Sequence, residues 1–228
     1  MSKKLKNEFW VIAHRGASFY KPENTISSFK KSMELGFNII EFDLRKTLDD
    51  KIVVIHDKNL NRTTNGKGLI RSKTFKQLQS LDAGKGEKIP LFEEVLSTFK
   101  DEAKFVIELK EHGYEEKILE LVEKYDLKES VFFVSFNKKC LKKIRALDSS
   151  VLTGRITIFG YNFINNAIRC GCNAVATNHK FVSRRKVNKA HDKDLMFFCW
   201  TVNDKMRAEE LKKIGVNGII TDKPDIFQ

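Results

Sequence analysis

The sequence predicts an α/β protein built as a (β/α)8 barrel. Three observations carry the prediction. Eight short apolar runs, rich in β-branched and aromatic residues, alternate with amphipathic helical stretches. The length, 228 residues, is near the ~250 typical of such a barrel. No glycine-rich loop of the GxGxxG or P-loop kind appears, whereas an open doubly wound sheet would more often carry one.

The runs fall at residues 9–13, 38–43, 104–109, 131–135, 151–155, 173–177, 195–200 and 217–221. Between them lie stretches such as ENTISSFKKSMELG, LFEEVLSTFK, YEEKILELVEKYDL, NKKCLKKIRALD and DKMRAEELKKIG. Each sets apolar residues on one helical face, and several stop at Gly or a charged cap. A ninth run, KIVVIHD, breaks the count. It follows the second run after LRKTLDDK, too short for a parallel crossover of about a dozen residues but suited to a hairpin with an Asp-rich turn. Residues 52–56 are therefore expected to return antiparallel, folded about Asp49 and Asp50, with His56 opposite Asp43. The turn-rich NLNRTTNGKGLI that follows implies a small insertion over the barrel mouth, approximately residues 44–90, within one domain spanning 1–228.

With 41% hydrophobic and 32% charged residues, the chain has the balance of a folded globular protein. No apolar run approaches the roughly 18 residues needed to span a bilayer. The start, MSKKLKNEFW, is basic without the apolar centre of a secretory signal, so a cytoplasmic location is expected. The four cysteines form no CxxC pair, and Cys170 and Cys172 are too close to bridge easily; they read as reduced thiols and small core residues. The net charge of +12 comes from lysines spread along amphipathic patterns, which reads as a solvated surface and allows weak association with an anionic membrane surface. No DNA- or RNA-binding motif appears, so no nucleic-acid partner is expected.

Catalytic groups in a barrel belong at the C-terminal ends of the strands. There this chain has His14 and Arg15 on the first run, Glu41 and Asp43 on the second, Glu108 and Lys110 on the third, and Trp200 on the seventh. Strand alternation puts Glu41 and Asp43 on one face and turns Ile40, Phe42, Ile107 and Leu109 toward the helices. Buried carboxylates are costly unless paired or metal-bound. Three of them converging on one rim suggest a divalent cation, Mg²⁺ or Ca²⁺ by their all-oxygen chemistry. Arg15 and Lys110 beside it suit a phosphate, and His14 and His56 suit a general base and a general acid. Each feature alone has a plainer reading. A Glu-x-Asp is commonly a salt-bridged strand end, a Trp after LMFFC is commonly core, Asn24 and Thr25 read as helix caps, and His112, His179 and His191 lie off the strand ends. The joint arrangement at three strand ends favours chemistry.

The ordered set AHRG, PENT, EFDL, VVIHD, LDAG, IPLFEEVL, IELK, WTVND and GIITDKP resembles the glycerophosphodiester phosphodiesterases, over positions 14 to 224. The resemblance implies a TIM barrel with a small insertion after the metal-binding strand. It also implies hydrolysis of glycerophosphodiesters to sn-glycerol 3-phosphate and an alcohol such as choline or ethanolamine. By position it makes Glu41, Asp43 and Glu108 the metal ligands, His14 and His56 the acid–base pair, Arg15 the phosphate-binding arginine and Lys110 the anion-stabilising lysine. Glu23 and Trp200 then line the site. The stretch TGRITIFGYNFINNAIRCGCNAVATNHKFVS departs most from the family pattern, which leaves the leaving alcohol open. Two other readings follow from the charge: a lysophospholipase D acting at a membrane surface, and a non-catalytic phosphate or nucleic-acid binder.

Overall fold

The structure, a computed structural model, describes residues 8–159 and 162–228. The basic stretch 1–7, read above for its lack of a secretory signal, lies outside the described residues, as do positions 160 and 161 of the divergent middle. Nine strands form one sheet: β1 (Trp10–His14), β2 (Ile39–Lys46), β3 (Ile52–Val54), β4 (Lys104–Leu109), β5 (Val131–Ser135), β6 (Leu152–Thr157), β7 (Ala174–Asn178), β8 (Met196–Trp200) and β9 (Gly218–Thr221). Their order is β1-β9-β8-β7-β6-β5-β4-β2-β3, and a parallel β1–β2 pairing closes eight of them into a barrel. β3 stands outside it, antiparallel to β2.

Alternation along the strands sorts side chains into two layers. Trp10, Ile12, Val106, Phe132, Ile156 and Phe198 fill the barrel interior. Ile40, Phe42, Ile107 and Leu109 face outward, as expected, against helices α1 (Ile26–Glu34), α3 (Phe92–Phe99) and α4 (Glu115–Lys124). A shorter helix, α2 (Phe75–Gln79), precedes α3. On the other side of the barrel, α5 (Lys138–Leu147), α6 (Phe163–Arg169), α7 (Arg184–His191) and α8 (Lys205–Ile214) cover β6 to β9. Thr25 caps α1 by accepting from the Ser28 backbone N–H. Asp204 caps α8, which Gly215 ends in the left-handed conformation at φ 103°. All four cysteines are free and buried. Among the described residues no helix is long and apolar enough to cross a membrane.

The hairpin differs from expectation by one residue. Leu44 pairs with Val54, and the Ile55 N–H donates to the Asp43 carbonyl at 2.9 Å, so Ile55 rather than His56 lies opposite Asp43. The cause is the turn. Thr47 pairs with Lys51 around three residues, with Asp50 left-handed at φ 56°, where a fold about Asp49 and Asp50 alone would leave two. Val53 of β3 and residues beyond it, Ile55, Leu60, Ile70, Leu78 and Ile89, build a small apolar cluster of their own. This packs the segment as a second layer beside β2 and fixes the chain that carries His56.

Phe42 is fully buried and meets the rings of Phe29, Phe92 and Phe105 at 5.7, 6.0 and 6.0 Å. Phe42→Ala is expected to cost about 3–5 kcal/mol, because the cavity it leaves cannot collapse between a strand and two helices. Met206→Ala, at a side chain 77% exposed, should change stability by less than ~0.5 kcal/mol. Urea unfolding followed by circular dichroism checks both, and equal losses would contradict the layer assignment.

Candidate active site

The strand register assembles the site. His14 pairs with Glu41 across β1 and β2, and Asp43 pairs with Glu108 across β2 and β4. The three carboxylates are buried, and one oxygen of each lies within 4.8 Å of the others. The Lys110 ammonium stands between two of them, 2.9 Å from Asp43 Oδ1 and 2.6 Å from Glu108 Oε1.

The turn after β1 brings in Arg15. Its backbone is left-handed at φ 57°, and its N–H donates to Glu41 Oε2 at 2.9 Å. Gly16 follows at φ 79°, where a Cβ would collide with Ser28 on α1. This close approach seats the first helix turn under the site, and Ser28 Oγ donates to the Arg15 carbonyl at 2.9 Å. The Arg15 guanidinium donates to Glu23 Oε1 at 2.7 Å and lies 3.4 Å from Asp43 Oδ2.

Seven of the expected residues line one cavity of about 150 Å³: His14, Arg15, Glu41, His56, Glu108, Lys110 and Trp200. Its floor is the apolar barrel interior, where Ala174 and Ala176 leave room and Gly154 lies so close to the Phe132 ring that a Cβ would stand 2.9 Å from it. Asp43 lies behind Lys110, 1% exposed. Glu23 is joined to the site through Arg15. The indole N–H of Trp200 is buried with no hydrogen-bond partner among the described residues and so holds an unspent donor, whereas Arg15 Nε faces Asp43 Oδ2 at 3.4 Å.

Sequence reasoning missed four residues that organise this set. Asp222, just past β9, accepts from His14 Nδ1 at 2.6 Å and also from Ser18 and Asn203. Asp57 accepts from His56 Nδ1 at 2.6 Å. Arg62 grips Asp57 and Glu23 with two hydrogen bonds each, tying the insertion to the first loop. Asn24 does not cap α1; it is 3% exposed and donates to Asp43 Oδ2 at 2.8 Å. The strand-end rule could have found Asp222, because β9 neighbours β1 in a closed barrel. Arg62, in a turn-rich loop, left no such signal.

The electrostatics follow from burial and pairing. Burial opposes ionisation of Asp43, but Lys110 and Arg15 overcome it and hold the carboxyl well below its usual range. Burial, with Asp43 and Glu108 nearby, pushes Glu41 well above the usual range. Burial and then Asp43 raise Glu108 to about 7. Burial lowers His56 despite the counter-pull of Asp43. Burial opposes ionisation of Asp222, but the hydrogen bond and charge of His14, with hydrogen bonds from Asn203 and Ser18, together lower it to about 2. With both Asp partners ionised, each imidazole donates from Nδ1 and keeps Nε2 for other chemistry.

These residues fit a divalent cation. The connected network holds five carboxylates (Glu23, Glu41, Asp43, Asp57, Glu108) against three cations (Arg15, Arg62, Lys110). With neutral imidazoles that leaves a formal −2, which one dication neutralises. Glu41 and Glu108 resist ionising first through burial and then through the neighbouring carboxylates, both of which a bound dication would offset. A second set of ligand-type atoms, His112, Glu115 and Cys140, has a local explanation. Glu115 starts α4 and accepts from His112 and the Gly113 N–H, while burial pushes the Cys140 thiol up to about 12.

A parallel barrel with carboxylates, basic groups and paired histidines at its mouth defines a class of phosphodiesterases, and the comparisons agree. The model of the glycerophosphoryl diester phosphodiesterase family matches residues 14–226, and the chain belongs to that family. It is 36% identical over 233 residues to the Bacillus subtilis protein YhdW, covering 96% of each chain. It is 35% identical over 229 residues to a glycerophosphodiester phosphodiesterase of Caldanaerobacter subterraneus, covering 94% of each. Among solved structures, an Oleispira antarctica phosphodiesterase in complex with the product sn-glycerol-3-phosphate has a TM-score of 0.87 at 27% identity, covering 96% of this chain and 95% of that one.

Asp222→Asn keeps the shape of the His14 contact but removes its charge and the tautomer it selects. Glycerophosphodiesterase turnover is expected to fall by roughly 10² or more with the fold intact. The same substitution should change acid stability. The folded value of about 2 lies below the usual 3.8, so the ionised group stabilises the fold above pH ~4, and the gain is lost as pH falls toward 2. Wild type should therefore lose more stability than Asp222→Asn between pH 5 and pH 2, by roughly the pKa difference. Parallel stability curves would contradict the ion pair.

Proposed function

We propose that the protein hydrolyses glycerophosphodiesters, such as glycerophosphocholine or glycerophosphoethanolamine, to sn-glycerol 3-phosphate and an alcohol, with a divalent cation held by Glu41, Asp43 and Glu108. The observation that carries the reading is two His–Asp pairs beside one buried carboxylate trio. Family membership and the product held by the Oleispira enzyme support the substrate class.

When bound, Mg²⁺ or Ca²⁺ supplies positive charge and Lewis acidity toward a phosphate oxygen. The chain's own groups do the rest. Arg15 and Lys110 hold the phosphate oxygens. Trp200 closes one wall and offers its indole N–H to a substrate oxygen. Glu23 holds the Arg15 guanidinium in place. Burial keeps His56 neutral near pH 7, which fits it to take the nucleophile's proton at Nε2. The nucleophile, water or the adjacent glycerol hydroxyl, forms a bond to phosphorus while the bond to the departing alcohol breaks; in the second case the product is a cyclic phosphate, which a water then opens to sn-glycerol 3-phosphate. His14, oriented by Asp222, gives that alcohol a proton.

Purified protein assayed on glycerophosphocholine should lose activity in EDTA and recover it with Mg²⁺ or Ca²⁺. Equal turnover in chelator would contradict the metal role. His14→Ala and His56→Ala should each lower kcat by about 10²–10⁴. A variant with unimpaired turnover removes its histidine from the mechanism.

A further inference from the structure

The net charge is not evenly placed. Residues 130–191 carry twelve Lys and Arg against a single acidic residue, Asp148, so this sector holds a net +11 of the chain's +12. It is the sector built from β5, β6 and β7, which pair side by side in the barrel. Several of its charges stand at the catalytic end. Lys138 and Lys139 open α5, Lys180 follows β7, and Arg184, Arg185 and Lys186 open α7. Among the described residues these six form no ion pair with an acidic group.

Exposed apolar side chains gather at the same end. Nine large hydrophobic residues are exposed among the described ones. Five of them, Phe19, Phe136, Ile158, Phe159 and Phe181, lie in connections that leave the C-terminal ends of strands, around the cavity mouth. Four of these five belong to the basic sector. Phe159 is 69% exposed, and its ring centre lies 6.0 Å from that of Phe181. Only Leu147 and Ile168, in the last turns of α5 and α6, sit at the opposite end. Single exposed apolar residues are ordinary, but their grouping on one rim marks a surface that meets an apolar phase.

We propose that the rim formed by the loops after β5, β6 and β7 docks on an anionic lipid bilayer. Ile158, Phe159 and Phe181 enter the headgroup boundary, and the lysines and arginines beside them lie over lipid phosphates. Interfacial attachment combines these two terms, apolar area and attraction to anionic lipid, and needs no spanning segment. The charge is complementary, and the apolar residues explain what charge alone does not. A nucleic acid would satisfy the lysines and leave Ile158 and Phe159 without a purpose. Docking would turn the cavity mouth toward the membrane. It rests on the exposed rim and not on any catalytic assignment.

The test uses full-length protein sedimented with vesicles of phosphatidylcholine containing about one third phosphatidylglycerol, at roughly 0.1 M salt. Binding is expected to these vesicles and not to phosphatidylcholine alone, and it should weaken as salt rises. Phe159→Ser combined with Phe181→Ser, and separately Lys138→Glu combined with Lys139→Glu, should each weaken it about tenfold or more. Circular dichroism melting should show both variants folded as wild type. Failure to bind anionic vesicles would overturn the proposal, as would binding indifferent to the aromatic pair, or binding to a single-stranded DNA oligonucleotide with none to vesicles. Each of these outcomes is independent of turnover.

Discussion

The site depends on one constraint: three carboxylates are buried at the mouth of a barrel whose interior is otherwise apolar. Placing them there is costly unless something positive shares the space. Lys110 and Arg15 share it in part and keep Asp43 ionised, but they leave Glu41 and Glu108 straining against ionisation. Much of the local architecture serves this compensation. The left-handed turn at Arg15 aims a backbone N–H at Glu41, and Asn24 gives Asp43 a hydrogen bond without adding charge.

A second feature is the matched wiring of the two histidines. Each imidazole gives Nδ1 to an aspartate, so each presents the same nitrogen to the cavity. The supports come from distant parts of the chain. Asp222 follows the last strand, and Asp57 belongs to the segment after β3. Arg62 joins that segment to Glu23 on the first loop, and Glu23 in turn holds Arg15. A positioning network therefore runs from the segment after β3 to Arg15. The apolar cluster of Val53, Ile55 and Leu60 gives it a firm base.

What was legible in the sequence was local and periodic. The run at 104–109 and the run at 131–135 became β4 and β5 to the residue, because β-branched and aromatic runs admit one pairing when both faces are buried. The carboxylate trio was legible for the same reason: alternation alone sends Glu41, Asp43 and Glu108 inward. Elements with weak patterns were not legible. Helix α7, RRKVNKAH, buries only Val187 and Ala190, and α2 has five residues. The register of the hairpin slipped by one because turn length, not turn composition, decides it. The pairing of His14 with Asp222, 208 positions apart, is legible only once the barrel is closed so that β9 neighbours β1, and Asn24 reads as a cap although Thr25 has that role.

The central claim is that the trio closes around one cation beside both imidazoles. Anomalous diffraction from crystals soaked in Mn²⁺, an oxygen-seeking stand-in for Mg²⁺ or Ca²⁺, tests it most directly. The account predicts a single strong peak about 2.0–2.6 Å from carboxylate oxygens of Glu41, Asp43 and Glu108, with Lys110 displaced from between Asp43 and Glu108. A map with no peak there, and Lys110 still bridging the two carboxylates, would contradict it.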